Sequence, residues 1–195
     1  SVDLGAGNDK LTLGNFGNFG SIANVETLVS GSDSDSLTIT TQVSNASIDL
    51  GAGSDTLVFG NFANTATLTG VESIVGGTAA DTITFSTAVS NVTVDLGLGS
   101  DKLTFANFTN TATVLNVETV IGGTGIDTVT FGSQVSNASI DLAAGNDTLT
   151  FGDFVNTATL SNVETVNAGA LADTISIAAQ ITKGIINLGD GADKL

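Results

Sequence analysis

Five turns of this chain end in an aspartate, and these turns recur at one fixed spacing. The segment Gly51-Ala52-Gly53-Ser54-Asp55 precedes an alternating apolar stretch, and similar segments return with a 46-residue period. A turn that concentrates carboxylate and backbone carbonyl oxygens offers the ligands that a hard cation such as calcium takes. The aspartates of this first series are Asp9, Asp55, Asp101, Asp147 and Asp193.

A second series of aspartates lies between the first. Its members are Asp35, Asp81, Asp127 and Asp173, and each stands at the same fixed interval before an aspartate of the first series. The turns of this series are less regular, because the glycine two residues before the aspartate is present only as Gly125. Fewer of its turns are therefore expected to bind a cation.

The net charge makes so many aspartates costly. The chain has 20 Asp and Glu against 4 Lys and no Arg, a formal net charge of −16. Carboxylates stacked one or two strand spacings apart lie ~5–10 Å from each other and repel by roughly 0.4–0.8 kcal/mol per pair in bulk water. Columns of such groups need protons, hydrogen-bond donors or cations to offset the repulsion, and calcium fits oxygen-only sites.

The elements that position the aspartates are short strands. Val92, Val94 and Leu96 alternate with polar residues, as do Leu103 and Phe105, and Gly, Asn and Ser separate these stretches. Such alternation predicts half-buried β-strands, and no segment has helical spacing over ten residues. An exact 46-residue repeat predicts a solenoid. The fold class is therefore all-β, a right-handed parallel β-roll or β-solenoid.

The intervals between aspartates suggest the size of each coil. Asp55 is followed by Asp81 at a longer interval and then by Asp101 at a shorter one. These two intervals predict two coils per repeat, of roughly 26 and roughly 20 residues, each with two strands. A single flat 46-residue coil is the alternative. Neither end departs from the repeat, so residues 1–195 are expected to form one uncapped array of four repeats plus the start of a fifth, within a longer chain.

The turns resemble a known family. Residues 122–130, Gly-Gly-Thr-Gly-Ile-Asp-Thr-Val-Thr, match the nine-residue Gly-Gly-x-Gly-x-Asp-x-apolar-x pattern in full. In this respect the chain resembles the RTX (haemolysin-type calcium-binding repeat) family, in the divergent form found in bacterial S-layer, large surface and adhesin proteins. The resemblance implies a β-roll with calcium between stacked turns, held by backbone carbonyls of the Gly-x-Gly turns and by the nine aspartates of both series. The first series and Asp127 match the pattern best.

Other recurring residues have simpler interpretations. Asp and Gly favour turns without any metal, so a metal-free ladder of Asp turns remains an alternative. Glu26, Glu72, Glu118 and Glu164 are expected to be solvated, or else auxiliary cation ligands. Asp3, Asp49, Asp95, Asp141 and Asn187 are likewise expected to be solvated, with support of the adjacent turn as the alternative. The recurring phenylalanines are expected to stack in the core.

Composition excludes several functions. The absence of His, Cys, Tyr and Arg removes the usual catalytic bases and nucleophiles, so we do not expect an enzyme. Strong acidity excludes nucleic acid as a partner, and no apolar run is long enough for membrane insertion.

We therefore expect a calcium-stabilised structural segment of a secreted bacterial cell-surface protein: an S-layer protein, a surface filament or an adhesin stalk that self-associates with identical subunits. The alternative is an ice- or glycan-binding solenoid that uses Thr-x-Thr pairs such as Thr65/Thr67 and Thr128/Thr130.

Overall fold

The computed structural model describes residues 1–179, 181 and 184–195, and the regular structure in them is entirely β-strand. This part of the chain contains no helix, and so no helix that could span a membrane. The odd-numbered strands are β1 (Val2–Asp3), β3 (Phe19–Ala23), β5 (Ser36–Ile39), β7 (Thr56–Phe59), β9 (Ser73–Gly77), β11 (Val92–Gly97), β13 (Asn110–Leu115), β15 (Asp127–Phe131), β17 (Thr148–Thr150), β19 (Thr165–Asn167) and β21 (Ile185–Asn187). The even-numbered strands are β2 (Lys10–Thr12), β4 (Thr27–Val29), β6 (Ala46–Asp49), β8 (Thr65–Thr69), β10 (Thr82–Phe85), β12 (Lys102–Thr104), β14 (Thr119–Ile121), β16 (Ala138–Asp141), β18 (Thr157–Ser161) and β20 (Thr174–Ile177).

The strands form two parallel sheets in a β-solenoid, which confirms the predicted fold class. The odd-numbered strands make an eleven-stranded sheet and the even-numbered strands a ten-stranded sheet, each in chain order. Consecutive strands therefore lie in opposite sheets, and every pairing is parallel. The chain winds from one sheet to the other through a turn at each edge of the solenoid.

The core lies between the two sheets. In β10, Ile83 and Phe85 are buried while Thr82 and Thr84 are only half-buried, the alternation that a strand with one face on a core requires. Equivalent residues of neighbouring coils stack, so that the rings of Phe85 and Phe105 lie parallel with their centroids 5.9 Å apart. Stacks of Leu, Ile, Val and Phe fill the interior along the solenoid axis.

The coils differ in size from those that the aspartate intervals predicted. Thr56 pairs with Ser73 in the next coil, and Ser73 pairs with Thr93 in the coil after that. The coil from Ser73 to Thr93 therefore has 20 residues, as predicted. The coil from Thr56 to Ser73 is shorter than that, so the predicted 26-residue coil is wrong, and so is the single 46-residue coil. The interval from Asp55 to Asp81 contains three strands, β7 to β9, and passes from one edge of the solenoid to the other. Only the interval from Asp81 to Asp101 is one coil.

Each 46-residue repeat contains five strands, which is two and a half coils. Strands β7 to β11 are repeated as β12 to β16, so β7 lies in the eleven-stranded sheet and its equivalent β12 in the ten-stranded sheet. Successive repeats are thus related by a half-turn about the solenoid axis combined with a translation along it. Every recurring feature consequently appears alternately on the two edges of the molecule.

Neighbouring repeats are also offset along the strands. The pairings lead from Leu37 through Leu57, Ile74, Val94 and Val114 to Phe131. The residue equivalent to Leu37 two repeats later is Val129, but the stack of paired residues reaches Phe131, two positions further along the chain. A column of equivalent side chains therefore cannot continue along the whole solenoid, and each polar column at an edge has a defined end.

Candidate functional site

The aspartates of both series lie together in short columns at the two edges of the solenoid. Asp35 and Asp55 occupy neighbouring coils, and the backbone N–H of Asp35 donates to Oδ1 of Asp55 at 2.7 Å. The same bond joins Asp81 to Asp101, Asp127 to Asp147 and Asp173 to Asp193. The predicted coils of 26 and 20 residues stack the two series alternately in one continuous column. The structure keeps the pairing across 20 residues, but Asp55 and Asp81 lie at opposite edges of the solenoid.

A complete column begins with an asparagine and ends with a glutamate. The N–H and the side-chain amide of Asn64 both donate to Oδ1 of Asp81, at 2.8 and 2.9 Å. At the other end, the N–H of Asp101 donates to Oε2 of Glu118 at 2.8 Å. We call this arrangement the Asn-Asp-Asp-Glu column. The complete columns are Asn18–Asp35–Asp55–Glu72, Asn64–Asp81–Asp101–Glu118 and Asn110–Asp127–Asp147–Glu164, and shorter versions are Asp9–Glu26 and Asn156–Asp173–Asp193.

The columns satisfy backbone donors where the chain turns. In each aspartate and glutamate of the columns other than Asp9, one side-chain oxygen accepts from a backbone N–H that lies 17 or 20 residues earlier, in the preceding coil. Buried N–H groups must find an acceptor. The aspartates therefore act between coils and are more than formers of their own turn.

The glutamates belong to the columns, so the prediction that they are solvated is wrong. Glu26, Glu72, Glu118 and Glu164 each accept from the N–H of a first-series aspartate in the preceding coil, at 2.8 or 2.9 Å. The asparagines at the head of the columns were missed altogether. Their signal was present in the sequence, because Asn18, Asn64, Asn110 and Asn156 follow the 46-residue period, each at one fixed distance before a second-series aspartate.

The carboxylates of the columns are buried. Asp55, Asp81, Asp127, Asp147 and Asp173 are fully buried, Asp101 and Asp35 almost fully, and Asp9 and Asp193 half-buried. One oxygen, Oδ2, of Asp9, Asp55, Asp101, Asp147 and Asp173 is buried without a hydrogen-bond partner. A buried carboxylate oxygen without a partner is costly, so these atoms are the chemically unsatisfied part of the columns.

Burial raises the pKa values of the central aspartates. The pKa of Asp101 rises from 3.8 to about 6, chiefly because burial disfavours the charged form, with the carboxylates of Glu118 and Asp81 adding to the rise. The pKa of Asp147 rises to about 6 for the same main reason, and the pKa of Asp55 is also raised. The N–H of the aspartate in the preceding coil opposes the rise at each site without cancelling it.

No group of three or more acidic side chains in residues 1–179, 181 and 184–195 is arranged to hold a metal ion. The donor set itself is suited to a hard cation, because the unsatisfied atoms are carboxylate oxygens beside Gly-rich turns. Calcium at the nine aspartates stays a prediction.

The turns before the first-series aspartates have the backbone that their glycines suggest. Gly51 and Gly97 have φ values of +89° and +85°, a region that favours glycine. Ala143 occupies the equivalent position with a φ of +65°. Outside the turns, Oδ1 of Asp49 accepts from the N–H of Gly51 at 3.1 Å, so the aspartates at 3, 49, 95 and 141 brace these turns rather than being merely solvated.

The phenylalanines divide into two groups. Phe59, Phe85, Phe105, Phe131 and Phe151 are buried, as predicted for core stacks. The column of Phe16, Phe62, Phe108 and Phe154 is exposed at the edges instead, so the prediction of a core stack is wrong for it. These rings stand on tight turns, in which the N–H of Phe62 donates to the carbonyl of Gly60 at 2.8 Å.

Comparison with known proteins gives no relative: the chain matches no protein-family model, no curated protein and no solved structure.

Proposed function

We propose that this chain is a calcium-stabilised structural segment of a secreted bacterial cell-surface protein. The observation that carries the proposal is the buried, unpartnered Oδ2 atom of Asp9, Asp55, Asp101, Asp147 and Asp173. Each complete column contains two buried aspartates, and the chain has only four lysines to offset 20 acidic residues. Bound cations would satisfy the unpartnered oxygens and remove the repulsion within each column.

Calcium suits these atoms better than other common metals. The available donors are carboxylate and carbonyl oxygens, and calcium accepts six to eight of them in flexible geometry. Softer metals prefer imidazole or thiolate ligands, which this chain lacks. The aspartates of both series, with backbone carbonyls of the Gly-x-Gly turns, would hold the ion. Binding to the folded turns alone would stabilise the solenoid by RT ln(1 + [Ca]/Kd) at each site.

A structural role follows from the regularity of the solenoid. A parallel β-solenoid with repeated edges suits a spacer, a filament or a lattice unit that associates with identical subunits. The resemblance to RTX repeats adds that such a chain would stay unfolded at low calcium, be secreted, and fold outside the cell. S-layer protein, surface filament and adhesin stalk are the forms that this role takes.

The test is a calcium titration of the EDTA-treated protein, followed by far-UV circular dichroism and calorimetry. We expect a calcium-dependent gain of β structure or of thermal stability, with several ions per chain and no equal effect of magnesium. Asp55→Asn should reduce the number of ions bound. The matched control is Asp153→Asn, because Asp153 is an exposed aspartate outside the columns. Full stability in EDTA with no heat of calcium binding would overturn the proposal.

A second candidate, ice binding, rests on the threonine faces. Thr111/Thr113, Thr128/Thr130 and Thr148/Thr150 form Thr-x-Thr pairs on three neighbouring strands, in direct register. Such a regular grid of hydroxyl and methyl groups could order water. Inhibition of ice recrystallisation by the protein, lost in Thr130→Tyr, would support this candidate, and normal recrystallisation in the presence of the unaltered protein would exclude it.

A further inference from the structure

A groove beside one exposed phenylalanine has features of a ligand site that the structural role does not use. It has a volume of about 640 Å³ and crosses β10, β12 and β14 next to the turn that carries Phe108. On its outer face it is formed by Phe108, Ala106 and Ile121 with the polar residues Thr84, Thr104 and Asn107, because Phe85 and Phe105 alternate with the threonines and turn into the core. Mostly apolar walls with a few polar groups are typical of small-molecule sites.

The turn that carries the exposed Phe108 ring is held in place by hydrogen bonds. The ring is 52% exposed. Its turn is fixed from below, because the side-chain amide of Asn110 donates to the carbonyls of Phe108 and Ala106 at 2.7 and 3.0 Å. Asn110 is itself buried and bound to Asp127 as the head of its column. A platform on a rigid turn loses little conformational entropy when it binds.

The absence of charged residues from the groove favours a neutral ligand. None of the residues that line it is charged, although the whole chain has a net charge of −16. An anionic ligand would be repelled by the surrounding protein, and a cationic ligand would find no carboxylate in the groove. The hydroxyls of Thr84 and Thr104 lie on paired strands, directly opposite each other, and can donate to or accept from a ligand.

We infer that this groove binds a neutral sugar, with one apolar face of the ring stacked on Phe108 and its hydroxyls bonded to Thr84, Thr104 and Asn107. A pyranose has the required combination of an apolar face and a polar rim. Such a site would let the segment contact a neutral polysaccharide, and it does not depend on calcium binding.

The other repeats provide internal controls. Asp153 takes the place of Asn107 in the turn of Phe154, and Val58 takes the place of Thr104 in the preceding repeat. Phe154 therefore stands on the same kind of turn beside a negative charge. Because Val58 is accommodated at its position, Thr104→Val should fold normally.

The experiment is an NMR titration of the full chain labelled with ¹³C in its ten phenylalanines. Glucose, galactose, mannose and N-acetylglucosamine are added to millimolar concentration, with glucuronic acid as the anionic control. We expect at least one neutral sugar to shift the ring signals of Phe108, and Thr104→Val to weaken that binding about tenfold, the cost of one good hydrogen-bond partner. Phe108→Ala should abolish the binding of that sugar, measured by saturation transfer to the sugar, and Phe154→Ala should leave it unchanged.

Three results would overturn the inference. They are the absence of any shift with all four neutral sugars, equal shifts at Phe62, Phe108 and Phe154, and binding that survives Phe108→Ala. Thermal unfolding of each variant shows that it is folded, so that lost binding is not mistaken for lost structure.

Discussion

Replacing Asp101 by asparagine should stabilise the calcium-free protein. The pKa of Asp101 is about 6 in the fold against 3.8 ordinarily, and one pKa unit corresponds to about 1.4 kcal/mol. Ionised Asp101 therefore weakens the fold at pH 8 by about 3 kcal/mol relative to its protonated form. Asparagine keeps an oxygen for the N–H of Asp81 and removes the charge, and the weaker bond that a neutral oxygen makes to that N–H is already contained in the pKa of about 6.

The expected gain of about 3 kcal/mol corresponds to a rise in Tm of about 6–12 °C for a chain of this size. Asn64 already occupies the first place of the same column, where its side-chain oxygen accepts from the N–H of Val43 at 3.3 Å, so the geometry suits an amide. The assay is thermal unfolding in EDTA at pH 8 and at pH 3. Because the folded pKa is raised, the unaltered protein loses stability as pH rises from about 4 through about 6, and the advantage of Asp101→Asn should vanish at pH 3.

Calcium should reverse the sign of this effect. If Asp101 is a ligand, Asp101→Asn forfeits part of the calcium-dependent stabilisation and becomes the less stable protein at saturating calcium. Asp153→Asn removes the same charge from an exposed position and should change Tm little in either buffer. A lower Tm of Asp101→Asn in EDTA at pH 8 would refute the reasoning, since it would mean that the ionised carboxylate is satisfied without a metal.

Three further substitutions test other parts of the fold. Phe131→Ala should lower the free energy of unfolding by about 3–5 kcal/mol, because the ring is buried and stacked on Phe151. Phe154→Ala in the next repeat should lower it by under about 0.5 kcal/mol, and equal losses in urea unfolding would contradict the assignment of core and edge. Ala143→Gly should raise the free energy of unfolding by about 1 kcal/mol in the same assay, because Ala143 has a φ of +65°, which strains an alanine but not a glycine. A lower free energy of unfolding in the variant would show that the backbone there is unstrained. Glu118→Ala should lower the free energy of unfolding by about 1–3 kcal/mol, because it leaves the N–H of Asp101 without its acceptor, and in Glu118→Gln most of that stability should remain. Hydrogen exchange of the Asp101 amide measures the effect, and unchanged exchange in Glu118→Ala would show that water replaces the carboxylate.

Much of the fold could be predicted from the sequence, because strand alternation and the 46-residue period are local patterns. Ile83 and Phe85 alternate with threonines whatever surrounds them, and that alternation already places them on one buried face. The aspartates could be identified as the chemically unusual residues for the same reason, since their turns repeat. The parallel β-solenoid and its buried face were therefore determined by the sequence itself.

Only the tertiary structure decided which residues meet. Contacts between neighbouring coils join residues 17 or 20 positions apart, and the repeat length does not reveal how many coils it contains. Because a repeat has five strands, equivalent residues of successive repeats lie in opposite sheets. The half-turn that relates successive repeats gives these residues the same surroundings. Asp55 and Asp101 look like neighbours in the sequence pattern but lie on opposite edges, while Asp101 meets Asp81 and Glu118. The Asn-Asp-Asp-Glu columns exist because of that winding, which no local pattern encodes.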